Sequence, residues 1–202
     1  MTTIIFSGAP SVGKTTLARA LSNILHIFGH GVNYVEEVSK RFIKTIRPIT
    51  VQHYLLSAKT QLDIQQKGRD AEFNVIETPI FLYGLYARGA LRPWDSANVA
   101  EYEELKRLCN EETRSYHTLG YKLFHIRSDH PLENDILRYA ATFVSSYVYL
   151  TSNDLMRRLE SVLSYLDLDW WCSNDRCAGV EIERACENAE MSVLNDHCES
   201  EG

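Results

Sequence analysis

Short apolar runs alternate with longer amphipathic stretches along most of this chain. Ile4-Ile5-Phe6, Val32-Asn33-Tyr34-Val35, Phe73-Asn74-Val75-Ile76-Glu77, residues 121–126 and Tyr147-Val148-Tyr149-Leu150 read as five strands. Between them the apolar positions recur at helical spacing. Leu17, Ala18, Leu21, Leu25 and Phe28 define a helix over residues 15–28 that Gly29 or Gly31 stops. Glu36-Glu37 opens a helix through Val38, Phe42 and Ile43 that ends before Pro48. Thr50 is placed to cap a long helix reaching Gly68. Helices follow over residues 80–87 and 98–116, the second burying Tyr102, Leu105 and Leu108. The polar stretch 127–138 contains Pro131 and begins as a loop, with a helix through Tyr139 and Phe143 after it. Thr151-Ser152-Asn153 is expected to cap a further helix through Leu155, Leu159 and Leu163. Strands alternating with helices predict an α/β fold: a parallel sheet flanked by helices, with ligands at the carboxyl ends of its strands.

The bulk numbers add limits. The 202 residues suffice for one domain with a substantial core, placed over residues 1–171. Of 21 basic and 27 acidic side chains, two and eight fall in residues 172–202. The excess negative charge therefore sits in that tail, and the body is neutral. No basic stripe is present to hold a phosphodiester backbone, so a nucleic-acid partner is not favoured. No apolar run approaches the roughly 20 residues of a membrane span, and the chain enters a strand at once. A cytoplasmic protein without a signal peptide is the expectation. Cys109 and the tail residues Cys172, Cys177, Cys186 and Cys198 fit reduced thiols, and their spacing with His197 matches no common zinc module. Residues 181–194 are expected to be weakly helical or disordered.

One stretch turns the reading from fold to chemistry. Gly8-Ala9-Pro10-Ser11-Val12-Gly13-Lys14-Thr15 leaves the first strand and opens the first helix, which is the G-x-x-x-x-G-K-[ST] phosphate loop in the context it requires. Gly8 and Gly13 let the backbone wrap a phosphate with its N–H groups inward. Lys14 reaches the β- and γ-phosphates, the Thr15 hydroxyl is a ligand for Mg²⁺, and with Thr16 the loop forms the expected ATP site. Glu77 ends the third strand, where a carboxylate can serve the same metal. Glu36 or Glu37 can accept a proton from a substrate hydroxyl, although two adjacent acids on a helix cannot both face one site. Residues 127–138 read as a lid whose Arg127 and Arg138 can neutralise a phosphoryl group in transfer, or can pair with nearby acids. Tyr34, Tyr83, Tyr86 and Trp94 can stack on a base or simply fill core.

The order of these motifs resembles a family of small P-loop kinases. It comprises the ribosylnicotinamide kinase domain of bacterial NAD-salvage regulators and the related phage-type AAA ATPase/kinase group. The family's glutamate-x-alanine-arginine motif falls on Glu37-Val38-Ser39-Lys40, which favours Glu37 over Glu36. Its aspartate-threonine pair falls on Glu77-Thr78, and its lid on Pro131, Asn134-Asp135 and Arg138. The resemblance implies a nucleoside/nucleotide kinase-like P-loop NTPase fold with a five-stranded sheet. It also implies an ATP- and Mg²⁺-dependent transfer of the γ-phosphate to a nucleoside- or nucleotide-like acceptor. Lys14, Glu37, Glu77, Arg127 and Arg138 are then catalytic, and Thr15 and Glu77 hold the metal. Two rivals stay open: a kinase of hydroxymethylpyrimidine in phage DNA, and a nucleotide-dependent regulatory ATPase that uses the tail as a contact surface. No membrane partner is expected, a homodimer is compatible, and a phage-encoded chain would work in the host cytoplasm.

Overall fold

The apolar strands are too short to bury themselves and assemble edge to edge. In the computed structural model, which describes residues 1–45, 48–118, 121–140 and 147–168, they are β1 (Thr2–Gly8), β2 (Val32–Val35), β3 (Phe73–Ile76), β4 (Lys122–Ile126) and β5 (Val148–Leu150). The sheet runs β2-β3-β1-β4-β5 with every pairing parallel. The chain leaves β1 toward one edge and later returns to the other side, so β1 is the switch point and its carboxyl end opens a crevice. Ile5 lies opposite Ile76 of β3 and Gly8 opposite Ile126 of β4, which aligns the ends of three strands.

The helices α1 (Lys14–Ile27), α2 (Ser39–Thr45), α3 (Val51–Lys67), α4 (Ile80–Arg88), α5 (Ser96–Thr118), α6 (Glu133–Ala140) and α7 (Leu155–Tyr165) cover both faces. Alternation along β1 divides the core. Ile4 and Phe6 pack with Leu17, Leu21, Phe124, Leu159 and Val162 beneath α1 and α7. Ile5 packs with Leu55, Phe81, Tyr83, Leu105 and Leu108 beneath α3, α4 and α5. Among the described residues no helix is long and apolar enough to cross a membrane.

Several boundaries differ from the sequence expectation for local reasons. The helix after β2 starts at Ser39 rather than at Glu36: the Glu37 N–H donates to Glu77 Oε2 at 3.1 Å and its carbonyl accepts from the Lys40 N–H at 3.2 Å, so Glu37 stands at the entry to the first turn. Thr50 does cap α3, with its N–H donating to the His53 ring at 3.0 Å in a capping box. The cap of α7 is Asp154, whose carboxylate accepts from the Arg157 N–H at 2.9 Å, and residues 151–153 are loop. The helix expected after residue 138 already begins at Glu133, inside the proposed lid. Phe143, Trp170, Trp171, the Ile43 side chain and the cysteine-bearing tail lie outside the described residues.

Phe6 is fully buried on the central strand, its ring 5.8 Å from that of Phe124. Phe6→Ala should lower the unfolding free energy by about 3–5 kcal/mol in urea titrations. A loss below about 1 kcal/mol would contradict the placement of this core.

Candidate active site

The phosphate loop takes its shape from three residues with positive φ. Gly8 has φ 144° and lies so close to β4 that an added Cβ would stand 2.9 Å from the Ile126 carbonyl oxygen. Ser11 (φ 62°) and Gly13 (φ 90°) complete the wrap, with Gly13 preceding α1. A left-handed residue beside a new helix turns successive N–H groups toward one point, where an anion is stabilised. Lys14 is the first residue of α1 and is buried, its ammonium donating to the carbonyls of Gly8 (3.1 Å) and Ala9 (2.8 Å). Burial lowers its pKa, Glu37 partly offsets that, Lys40 adds to the lowering and Glu77 opposes it. Ser11, Val12, Gly13 and Thr16 line a cleft of about 440 Å³, whereas Ala9 is buried in the core and Pro10 points to solvent.

Beside the loop stands Glu77, one residue past β3 and 1% exposed. The Thr15 hydroxyl and the Lys40 ammonium both donate to its Oε1, and Lys40 also donates to Thr15 Oγ1. Its Oε2 accepts from the Tyr34 hydroxyl at 3.2 Å and the Glu37 N–H at 3.1 Å. Burial alone would raise its pKa, but Lys40, Thr15 and the Glu37 amide outweigh that and keep it ionised. The two adjacent acids after β2 separate. Glu37 is buried and accepts from Ser39 Oγ (2.7 Å) and Thr78 Oγ1 (2.9 Å), while Glu36 pairs outward with Arg41.

The two arginines of the expected lid do not meet. Arg127 lines the loop-side cleft opposite Ser11 and Gly13, half-exposed, with its guanidinium 5.5 Å from the Tyr149 ring centre. Arg138 lines a separate cleft of about 470 Å³ with Leu85, Arg88, Asp135 and Tyr139. The early start of α6 explains this, since five residues of helix carry Arg138 about 7.5 Å along the axis from Glu133. The start of the segment is also tied down. Glu133 accepts from the fully buried His125 ring at 2.9 Å and from Ser128 Oγ at 3.1 Å, and its Oε1 is 3.5 Å from Arg127 Nε. The other His125 nitrogen faces Ser7 Oγ at 3.3 Å.

A model of the AAA domain family matches residues 3–138. The chain belongs to that family. No curated protein matches it. AAA domains are P-loop NTPases, which act on ATP with Mg²⁺, and the residues of this AAA domain suit both. Thr15 and Glu77 supply a hydroxyl and a carboxylate oxygen, the hard donors Mg²⁺ takes, and the Lys40 ammonium already rests against both as a cation. Among the described residues no group of three or more His, Cys, Asp or Glu side chains is placed to hold a metal ion.

Of the aromatic candidates, Tyr83 is core, Tyr34 spends its hydroxyl on Glu77, and Trp94 is 83% exposed. Tyr86 remains half-buried 6.4 Å from Tyr54, and the Glu37 charge acts on it. Sequence reasoning missed Lys40 as a partner of Thr15 and Glu77, the Ser7–His125–Glu133 chain, and Arg158. Of these, Arg158 carried a weak signal: a charged residue at an apolar position of the helix face between Leu155 and Leu159.

Burial lowers the pKa of His125, and Glu133 only partly offsets it. The unfolded chain therefore takes up a proton near pH 6.5 that the folded chain takes up only at lower pH, so stability falls as pH drops through that window. Urea titrations at stepped pH should show His125→Gln flattening this slope below about pH 6.5. Parallel curves for variant and parent would contradict a buried neutral ring.

Proposed function

We propose that this AAA domain is a kinase that moves the γ-phosphate of ATP to a hydroxyl of a nucleoside- or nucleotide-like small molecule. The observation that carries the reading is a second buried carboxylate, Glu37, close enough to Lys14 to act on its charge but apart from the Thr15–Glu77 pair. The tyrosines near Glu37 favour an organic acceptor over water, whose activation in an ATPase uses the same kind of carboxylate. A kinase needs one to orient the acceptor and take its proton.

The acceptor side fits an aromatic ring. Tyr54 and Tyr86 project from α3 and α4, and Glu37 acts electrostatically on Tyr86 and on the buried Tyr83. The resemblance of Glu37–Lys40 and Glu77-Thr78 to ribosylnicotinamide kinases points the same way. In the proposed reaction the acceptor oxygen forms a bond to the γ-phosphorus, the bridging oxygen–phosphorus bond breaks, and its electron pair leaves with ADP. The acceptor proton passes to Glu37. Lys14 and the loop N–H groups hold the β- and γ-oxygens, and Arg127 faces the same cleft as a further positive charge. Mg²⁺, when bound with the nucleotide, neutralises phosphate charge. Arg138 stands in its own cleft and reaches this centre only if α6 moves.

Labelled ATP offered with a panel of nucleosides, nucleotides, nicotinamide riboside and hydroxymethylpyrimidine DNA should yield a labelled small molecule. Lys14→Ala should abolish transfer while leaving the fold intact. ATP turnover that no acceptor accelerates would sink the kinase reading in favour of a regulatory ATPase, and label on the DNA alone would move the acceptor class. Glu37→Gln should lower kcat by roughly 10²–10⁴-fold with ATP affinity retained. Parental kcat in that variant would remove Glu37 from the chemistry.

A further inference from the structure

Helix α7 lies outside the stretch matched by the family model, yet it places a charged side chain against the phosphate loop. Arg158 sits on the buried face of that helix beside Leu159 and Val162 and is 8% exposed. Its Nη1 donates to the Val12 carbonyl at 2.7 Å, and its Nε donates to the Ser152 carbonyl. It crowds the loop so closely that a Cβ on Gly13 would stand 3.2 Å from Nη1. The same side chain lines the loop-side cleft with Ser11, Gly13 and Thr16.

All of its partners among the described residues are uncharged carbonyls. Burial alone lowers its pKa, with no acid opposing the effect. A desolvated cation without a counter-charge is unfavourable, and a guanidinium has five N–H donors, of which the two carbonyls occupy two. An anion in the cleft would complete both its charge and its free donors. Among the described residues that line that cleft there is no aspartate or glutamate, whereas the adjoining loop is built for phosphate.

We propose that Arg158 is a second phosphate-binding cation of the donor site, holding Val12 in place with one nitrogen and receiving a nucleotide phosphate on the others. This rests on the donor-nucleotide reading above. The geometry supports the choice of arginine: a fork can clamp a carbonyl and pair with a phosphate at once, and an ammonium serves the two less well.

The test uses the full chain and measures dissociation constants for ATP and for inorganic tripolyphosphate across a series of salt concentrations. Parent, Arg158→Gln and Arg158→Lys are compared, with thermal unfolding to establish folding. Arg158→Gln should bind both ligands about tenfold or more weakly, with a shallower salt dependence. Arg158→Lys should restore the salt dependence and part of the affinity. Parental affinity in Arg158→Gln would overturn the proposal, as would weaker binding with the parent's salt dependence, which marks a purely structural clamp. If Arg158→Gln fails to fold, Arg158→Lys decides: weakened ATP binding supports the contact and unchanged binding overturns it. A parent chain that binds neither ligand overturns the donor-site reading itself, an outcome distinct from failure of the variants.

Discussion

The carboxylate of Glu77 gathers the ends of separate segments into one site. Thr15 comes from the first turn of α1, Lys40 from α2, Tyr34 from β2 and the Glu37 N–H from the connection between them, and all four donate to the same side chain. Buried so deeply, a carboxylate survives as an anion only with such partners, and each partner is fixed in return. The Glu37 backbone is held at the mouth of α2 by this arrangement. Removing Glu77 would leave the Lys40 charge without its acid and free the segment that carries Glu37, so the Thr15–Glu77 pair and the proposed base stand or fall together.

The sheet explains why residues so distant in sequence can meet. With β1 central and every strand parallel, the carboxyl ends of β1, β2 and β3 open on one edge. That edge receives the phosphate loop, Glu37 and Glu77 in spatial succession, while β4 and β5 bring Arg127 and the α7 connection to the other side of the loop. The result is a cleft lined by the phosphate loop, Arg127 and Arg158, with the Glu37 carboxylate buried apart from it. An in-line transfer between two substrates requires such a division.

Much of this was legible in the sequence because its signals are local. A phosphate loop is contiguous, strands announce themselves by short apolar runs, and their last residues point to the site by rule. The choice between Glu36 and Glu37 was not local. It depends on which acid the Glu77 carboxylate draws inward through the Glu37 backbone, a contact across 40 residues. Arg138 was misplaced relative to Arg127 for a different reason: α6 begins within the expected lid, and helical rise then carries the residue away. The Ser7–His125–Glu133 chain and Arg158 depend on packing between elements, for which one chain carries only the weak sign of a polar residue at an apolar position.

The claim at the centre of this account is that Glu77 serves the donor metal with Thr15 while Glu37 stays free of it. Anomalous diffraction from a complex with Mn²⁺ and a non-hydrolysable ATP analogue tests that most directly. The account predicts a Mn²⁺ peak beside Thr15 and Glu77 next to the β- and γ-phosphates, with Lys40 displaced from Thr15 and the Glu37 carboxylate still held by Ser39 and Thr78. A peak on Glu37, or a metal bound elsewhere while Lys40 keeps its contacts with Thr15 and Glu77, would contradict it.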